Sequence, residues 1–293
     1  GDIVLGTTGS RDLAPARVTA TKPGRWSGRL YTISAGGHTL RGTPHHVLLA
    51  DPRPPAGQWL VYLMYRGDRG WRVGLTESTR PSQPGRDDPG CRVRLNQEHA
   101  DALWVLRMCE SRAEAAYWEA YYAAEYGLPT ALFHGLGRSL AMDDEYLERL
   151  YLELDTATRA KRLFDELDLH PDFPHYRAFG GGRRQTLDLT MFADRRASVP
   201  YHRVQWSSNR VDVAARIEAA GFPTRKGKSA SVRFETFRRD YRDAVSLARA
   251  VAGAGGLEIN RRALVDGAVY SFLPLSHLRV GMTVLVERDG VLE

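Results

Sequence analysis

The chain has 293 residues, 43% apolar and 26% charged, with 41 Lys plus Arg against 35 Asp plus Glu for a net charge of +6. That is enough apolar material for one large core or two to three smaller ones, and the charged fraction excludes wholesale disorder. No run approaches the roughly 18 apolar residues of a membrane span, and GDIVLGTTGSRDL lacks the layout of a signal peptide. Cys91 and Cys109 alone make neither a disulfide framework nor a four-cysteine zinc site, so the expected setting is a reducing cytoplasm with no membrane partner.

Residues 1–50 read as short strands (IVL, ARVTA, GRLYTIS, HTLRG, HHVLLA) broken by Gly, Pro and Ser clusters, the pattern of an all-β unit. DPRPPAG, 51–57, marks a boundary. The strands VYLMY and RVGLT follow, then the polar loop PSQPGRDDPG. Helices are expected over about Gln97 to Val105 and over SRAEAAYWEAYYAAEYG, where Ser111 precedes Glu114 by three residues as in a capping box and Gly127 ends the helix. Residues 58–130 therefore predict β-β-α-β-α.

An acidic helical pair spans 141–169, and FGGGRRQ, 179–185, reads as a hinge. LDLTMFAD, YHRVQWSS, a helix from Arg210 to Ala220, PTRKGK, SVRFETF and a helix from Asp240 to Ala252 then predict β-β-α-β-β-α. GLEINRRALV, VYSFLPL and MTVLVERDG return to short strands. The expected fold class is multidomain α+β. Its units are an N-terminal β half (1–55), an α/β domain (56–135), a helical linker (136–180), a basic unit (181–256) and a C-terminal β half (257–293).

Charge is concentrated. Residues 181–242 carry 14 Lys plus Arg against 6 Asp plus Glu, and the rest of the chain is near neutral. Such a block suits a polyanion, with double-stranded DNA the expected partner. Candidate contacts are Arg203, Arg210, Arg225, Lys226, Lys228, Arg233, Arg238 and Arg239, interleaved with Tyr201, Trp206 and Phe237. Strand and helix-start cations would position a duplex while a few strand residues read bases.

In GGHTLRGTPHHVLLADP, Thr43 and His46 share a turn between two strands. A hydroxyl and an imidazole so placed can polarise a peptide bond and protonate its leaving amine. This stretch resembles the Thr- and His-bearing block of inteins, the Hint fold. GDIVL resembles the strand after an intein's leading residue, and LSHLRVGMTVLVERDG, Leu275–Gly290, is similar to a late Hint strand. The resemblance implies a Hint-like β horseshoe split between the two termini, splicing or autocatalytic cleavage involving Thr43 and His46, and host exteins as partners. Inteins begin with Cys or Ser and end with His-Asn. This chain starts at Gly1 and closes Val291-Leu292-Glu293, so the splicing ends are missing from it.

LVYLMYRGDRGWRVGLT, Leu60–Thr76, places Val61-Tyr62-Leu63 and Arg72-Val73-Gly74 where GIY-YIG nucleases carry their two motifs. The α/β unit thus resembles a GIY-YIG-like homing endonuclease, in which Tyr62 or Tyr65 would act as base and Arg94 or Arg72 would clamp phosphate. Glu119 would hold one Mg²⁺, and His99 is a further catalytic candidate. The runs Tyr62–Tyr65, Gly70–Gly74, Asn96–Asp101 and Arg233–Thr236 are similar to intein-like insertions of superfamily 1 DNA helicases. Two alternatives stay open: the same architecture as a catalytically inactive DNA-binding or structural insert, and an unrelated DNA-binding protein.

Overall fold

The computed structural model describes residues 1–83, 85–135, 141–178, 186–194, 200–227 and 231–293. The fold is mixed α+β, with strands predominating over six α-helices among the described residues. The expected hinge at 179–185 lies outside them.

The chain opens with β1 (Ile3–Thr7), β2 (Leu13–Arg17), β3 (Tyr31–Ala35), β4 (His38–Gly42) and β5 (Val47–Asp51). β1–β2 and β3–β4 are antiparallel hairpins with largely exposed side chains. A second set comprises β6 (Trp59–Arg66), β7 (Gly70–Glu77), β8 (Thr79–Gln83), β9 (Arg86–Pro89), α1 (Gly90–Gln97), β10 (Ala102–Cys109) and α2 (Arg112–Tyr126). α3 (Asp144–Glu153), α4 (Thr156–Glu166) and β11 (Tyr176–Arg177) complete it, and β11, β10, β6 and β7 form one sheet in that order.

Both faces of this sheet are covered. Val61, Leu63, Val73 and Trp104 pack against Tyr122 and Tyr126 of α2 and Leu163 and Phe164 of α4. Leu60, Tyr62, Met64 and Leu103 pack against Cys91 and Leu95 of α1, Phe133, and Tyr151 of α3. α2 begins as its sequence signals: the Ser111 hydroxyl accepts the Glu114 amide at 3.1 Å, and Glu114 reaches back to the Glu110 amide at 3.0 Å. It ends at Gly127, whose φ of 67° is the left-handed cap that glycine adopts without a Cβ penalty.

The helix expected over Gln97–Val105 is not there. α1 ends at Gln97, and ALWVLRMC forms the buried strand β10. A strand buried on both faces loses its alternation, so its apolar run reads like a helix segment.

The remaining elements are β12 (Thr186–Asp194), β13 (Tyr201–Ser208), α5 (Val211–Ala219), β14 (Arg225–Lys226), β15 (Val232–Arg238) and α6 (Tyr241–Gly255). β16 (Glu258–Val265), β17 (Ala268–Pro274), a 3₁₀ turn at Leu275–His277, β18 (Thr283–Val284), β19 (Glu287–Arg288) and β20 (Val291–Leu292) follow. One eight-stranded sheet runs β14-β15-β13-β12-β16-β17-β5-β18. α5 and α6 cover one face of it through Leu187, Leu189, Val204, Trp206 and Phe234.

The two ends of the chain meet in this sheet. β5 pairs antiparallel with β17 and β18. Asp12 bridges Val291, and the Leu292 amide donates to Arg11 O at 2.8 Å. The same sheet continues into the basic region, because β12 pairs in parallel with β16.

Candidate active site and nucleic-acid interface

Strand parity decides which predicted residues meet. Tyr62 faces the α1/α3 side of the four-stranded sheet, opposite Gly74 and diagonal to Arg72, which pairs with Met64. A Cβ on Gly74 would come within 2.6 Å of the Tyr62 ring, so the absence of a side chain there makes room for the phenol. Tyr65 points to the other side, its ring 4.5 Å from that of Trp71.

Arg72 is 3% exposed and Glu98 0% exposed. The Arg72 Nη1 lies 2.7 Å from Glu98 Oε1 and 3.4 Å from the Tyr62 hydroxyl, and Nη2 donates to Thr130 O at 2.7 Å. Glu98 Oε2 also accepts the Phe133 amide at 3.3 Å. Burial by itself would lower the pKa of Arg72, but Tyr62 and Glu98 beside it raise it above the ordinary value, and the cation is held. Burial pushes the Tyr62 phenol up to about 12, although the Arg72 charge opposes that shift.

β7 is an edge strand, and its outward amides have partners. Trp71 N donates to Thr156 Oγ1 at 3.1 Å and Val73 N to Pro129 O at 3.0 Å, while the Glu119 carboxylate accepts from Leu75 N. Capping a sheet edge in this way blocks pairing with another chain. Glu119 therefore reaches β7 from α2, half-buried. Desolvation raises its pKa, and the charges of Arg72 and Arg94 pull it back down. The same two guanidiniums act on the Tyr62 hydroxyl. The structure thus brings Tyr62 and Arg72 together on the α1/α3 face, sets Glu119 at the β7 edge from α2 on the other side, and leaves Tyr65 in an aromatic stack.

His99 lies apart as well, at a φ of 49° with its ring 4.8 Å from that of His134. The run Asn96–Asp101 now has a physical account. Glu98 neutralises Arg72, His99 makes the left-handed turn, and Asp101 accepts the Gly67 amide at 2.7 Å to close the β6–β7 hairpin. Glu98 was not among the sequence candidates. The available signal was Arg72 itself, a cation between Trp71 and Val73 in a strand buried on both faces, which requires a carboxylate partner.

Among the described residues no three His, Cys, Asp or Glu side chains converge as a metal site. Glu98 is committed to Arg72 and Glu119 stands at the β7 edge. Mg²⁺ commonly takes one or two protein carboxylates and completes its shell with water and substrate phosphates, and Glu119 is the carboxylate the sequence reading offers it.

The splicing candidates share a turn that docks on the C-terminal β segment. His46 N donates to Thr43 O at 3.1 Å, Leu275 N to His46 O at 2.8 Å and Ser276 N to Pro44 O at 3.1 Å. His46 is exposed and Thr43 half-buried.

The basic residues divide between the sheet face opposite α5 and α6 and its rim. Arg203, Arg225 and Arg233 all contact Glu235, at 3.8 Å and 2.5 Å for the first two. Arg210 forms a two-bond fork with Asp212 at 2.7 and 2.6 Å. Arg239 donates to the Tyr201 hydroxyl at 2.9 Å, and Arg238 bonds Thr236 Oγ1 at 3.0 Å. Lys226 is exposed on β14, and Lys228 lies outside the described residues. Trp206 is buried in the core rather than placed for contact with a ligand. Compared with protein-family models, curated proteins and solved structures, the chain matches none.

Proposed function

We propose that the chain is an intein-type splicing scaffold carrying a DNA-binding homing endonuclease of GIY-YIG-like design. The contact of the Arg72 guanidinium with the Tyr62 hydroxyl, 3.4 Å apart on the four-stranded sheet, carries the reading. The pairing of β5 with β17 and β18 supports a scaffold split between the termini. The cations of the eight-stranded sheet support duplex DNA as partner.

In this reading Glu119 would hold a Mg²⁺ ion, which when bound would supply positive charge to the scissile phosphate. Arg94, half-exposed, clamps the phosphate, and Arg72 keeps the Tyr62 hydroxyl oriented. Thr43 and His46 serve the splicing chemistry of the scaffold.

A second reading, DNA binding without cleavage, draws on one observation. Tyr62 is 1% exposed and the Arg72 guanidinium is occupied by Glu98, so both groups are shut away from a substrate. Supercoiled plasmid bearing the uninterrupted insertion site, incubated with Mg²⁺ and either wild type or Glu119→Ala, separates the two. Cleavage by wild type alone supports the endonuclease. Retention of the plasmid without cleavage by either protein supports the second reading, and no retention at low salt removes both.

A further inference from the structure

The face of the eight-stranded sheet opposite α5 and α6, which no helix covers among the described residues, carries an ordered charge pattern. Register places Arg225, Arg233 and Ser207 side by side across β14, β15 and β13. Two residues along the strands, Glu235, Gln205, Asp188 and Asn260 form the next row, and Arg203, Thr190 and Arg262 belong to the row beyond it. A carboxylate-and-amide centre is therefore bordered by Arg225 and Arg233 on one side, at β14 and β15, and by Arg203 and Arg262 on the other, at β13 and β16, with Phe237 and Glu258 completing the outer rows. Glu235 contacts Arg203, Arg225 and Arg233, while Asp188 holds Arg262 at 3.0 Å and Asn260 at 2.9 Å.

Successive residues on one face of a strand are about 6.7 Å apart, so the flanking rows lie about 13 Å from each other. The DNA major groove is about 12 Å wide. Carboxylates repel phosphates, so a duplex settles here only with its groove over the centre and its phosphates over the flanks. In the groove a carboxylate accepts from the cytosine amino group, and Asn or Gln pairs with adenine.

We infer that this face reads DNA sequence in the major groove, and that Glu235 sets its selectivity by tethering Arg203, Arg225 and Arg233 and excluding phosphate from the centre. The inference rests on the DNA-binding reading above. Glu235 has a side-chain exposure of 10% and three guanidinium partners, so each arginine must leave it before binding phosphate anywhere else.

The test is selection from a random duplex pool with the full chain, followed by binding to the enriched and random duplexes across a salt series. Wild type should enrich a motif. Glu235→Gln should bind random duplex more tightly, steepen the log–log salt slope by about 0.9 for each phosphate gained, and lose about tenfold in discrimination. Arg225→Gln should flatten the slope by a similar step and keep the motif.

An unchanged motif and slope in Glu235→Gln, or no motif in a wild type that binds with a normal salt slope, overturns the inference and leaves DNA binding standing. Wild type that binds no duplex at low salt overturns the DNA reading itself. Should Glu235→Gln melt early by circular dichroism, Gln205→Ala decides: loss of motif positions at constant slope is expected, and an intact motif is the contrary result.

Discussion

Arg72 and Glu98 form a buried ion pair, 2.7 Å from Nη1 to Oε1, between the edge strand of the four-stranded sheet and the residue that follows α1. Such a pair contributes little net stability, yet losing one partner strands a charge in a dry core. Glu98→Gln or Arg72→Met should each cost about 3–5 kcal/mol in urea unfolding, and the double replacement with apolar residues should recover most of it. Additive losses in the double variant would show that the two residues act independently.

Glu119 has two separable jobs, as acceptor for the Leu75 amide and as the proposed ion ligand. Glu119→Gln keeps an acceptor for the amide and removes the charge. It should unfold within about 0.5 kcal/mol of wild type, whereas Glu119→Ala should cost about 1 kcal/mol. If Glu119→Gln retains full Mg²⁺-dependent cleavage, Glu119 is a structural residue only.

Gly74 lies under the Tyr62 ring with no space for a methyl group. Gly74→Ala should destabilise by roughly 1–3 kcal/mol through overpacking. Combining it with Tyr62→Leu should relieve the clash, which melting curves of the three variants will report.

A histidine pair gives the fold an acid limit. His175 Nδ1 accepts the Val105 amide at 3.0 Å and its Nε2 bonds His277 O at 2.8 Å, while His277 Nε2 accepts the His170 amide at 2.8 Å. Burial drives His175 down to about 3 and His277 well below the ordinary range. Because the folded pKa values lie below the unfolded ones, the folded state binds fewer protons. This stability is complete above about pH 6.5 and is lost as pH falls towards 3, at roughly 1.4 kcal/mol per unit for each histidine. His175→Gln should flatten the stability–pH curve across that window, and an unaltered slope would count against the assignment.

Local signals carried far into the structure where a single element answers to its own residues. Ser111, Glu114 and Gly127 bound α2 because capping is settled within a few residues. The strands of the basic region were legible for the same reason, since turn residues and alternation are local. β10 was missed because burial on both faces erases alternation, and Glu98 because its partner is 26 residues away.

Sequence by itself determined the α+β character, the order of most elements and the concentration of cations between residues 181 and 242. Tertiary structure decided that Tyr62 and not Tyr65 meets Arg72, that β5 meets β17, and that three arginines share Glu235. Each of those outcomes depends on strand register and on which face is covered. A one-residue slip in register turns a side chain to the opposite face, and only the packing of distant segments fixes it.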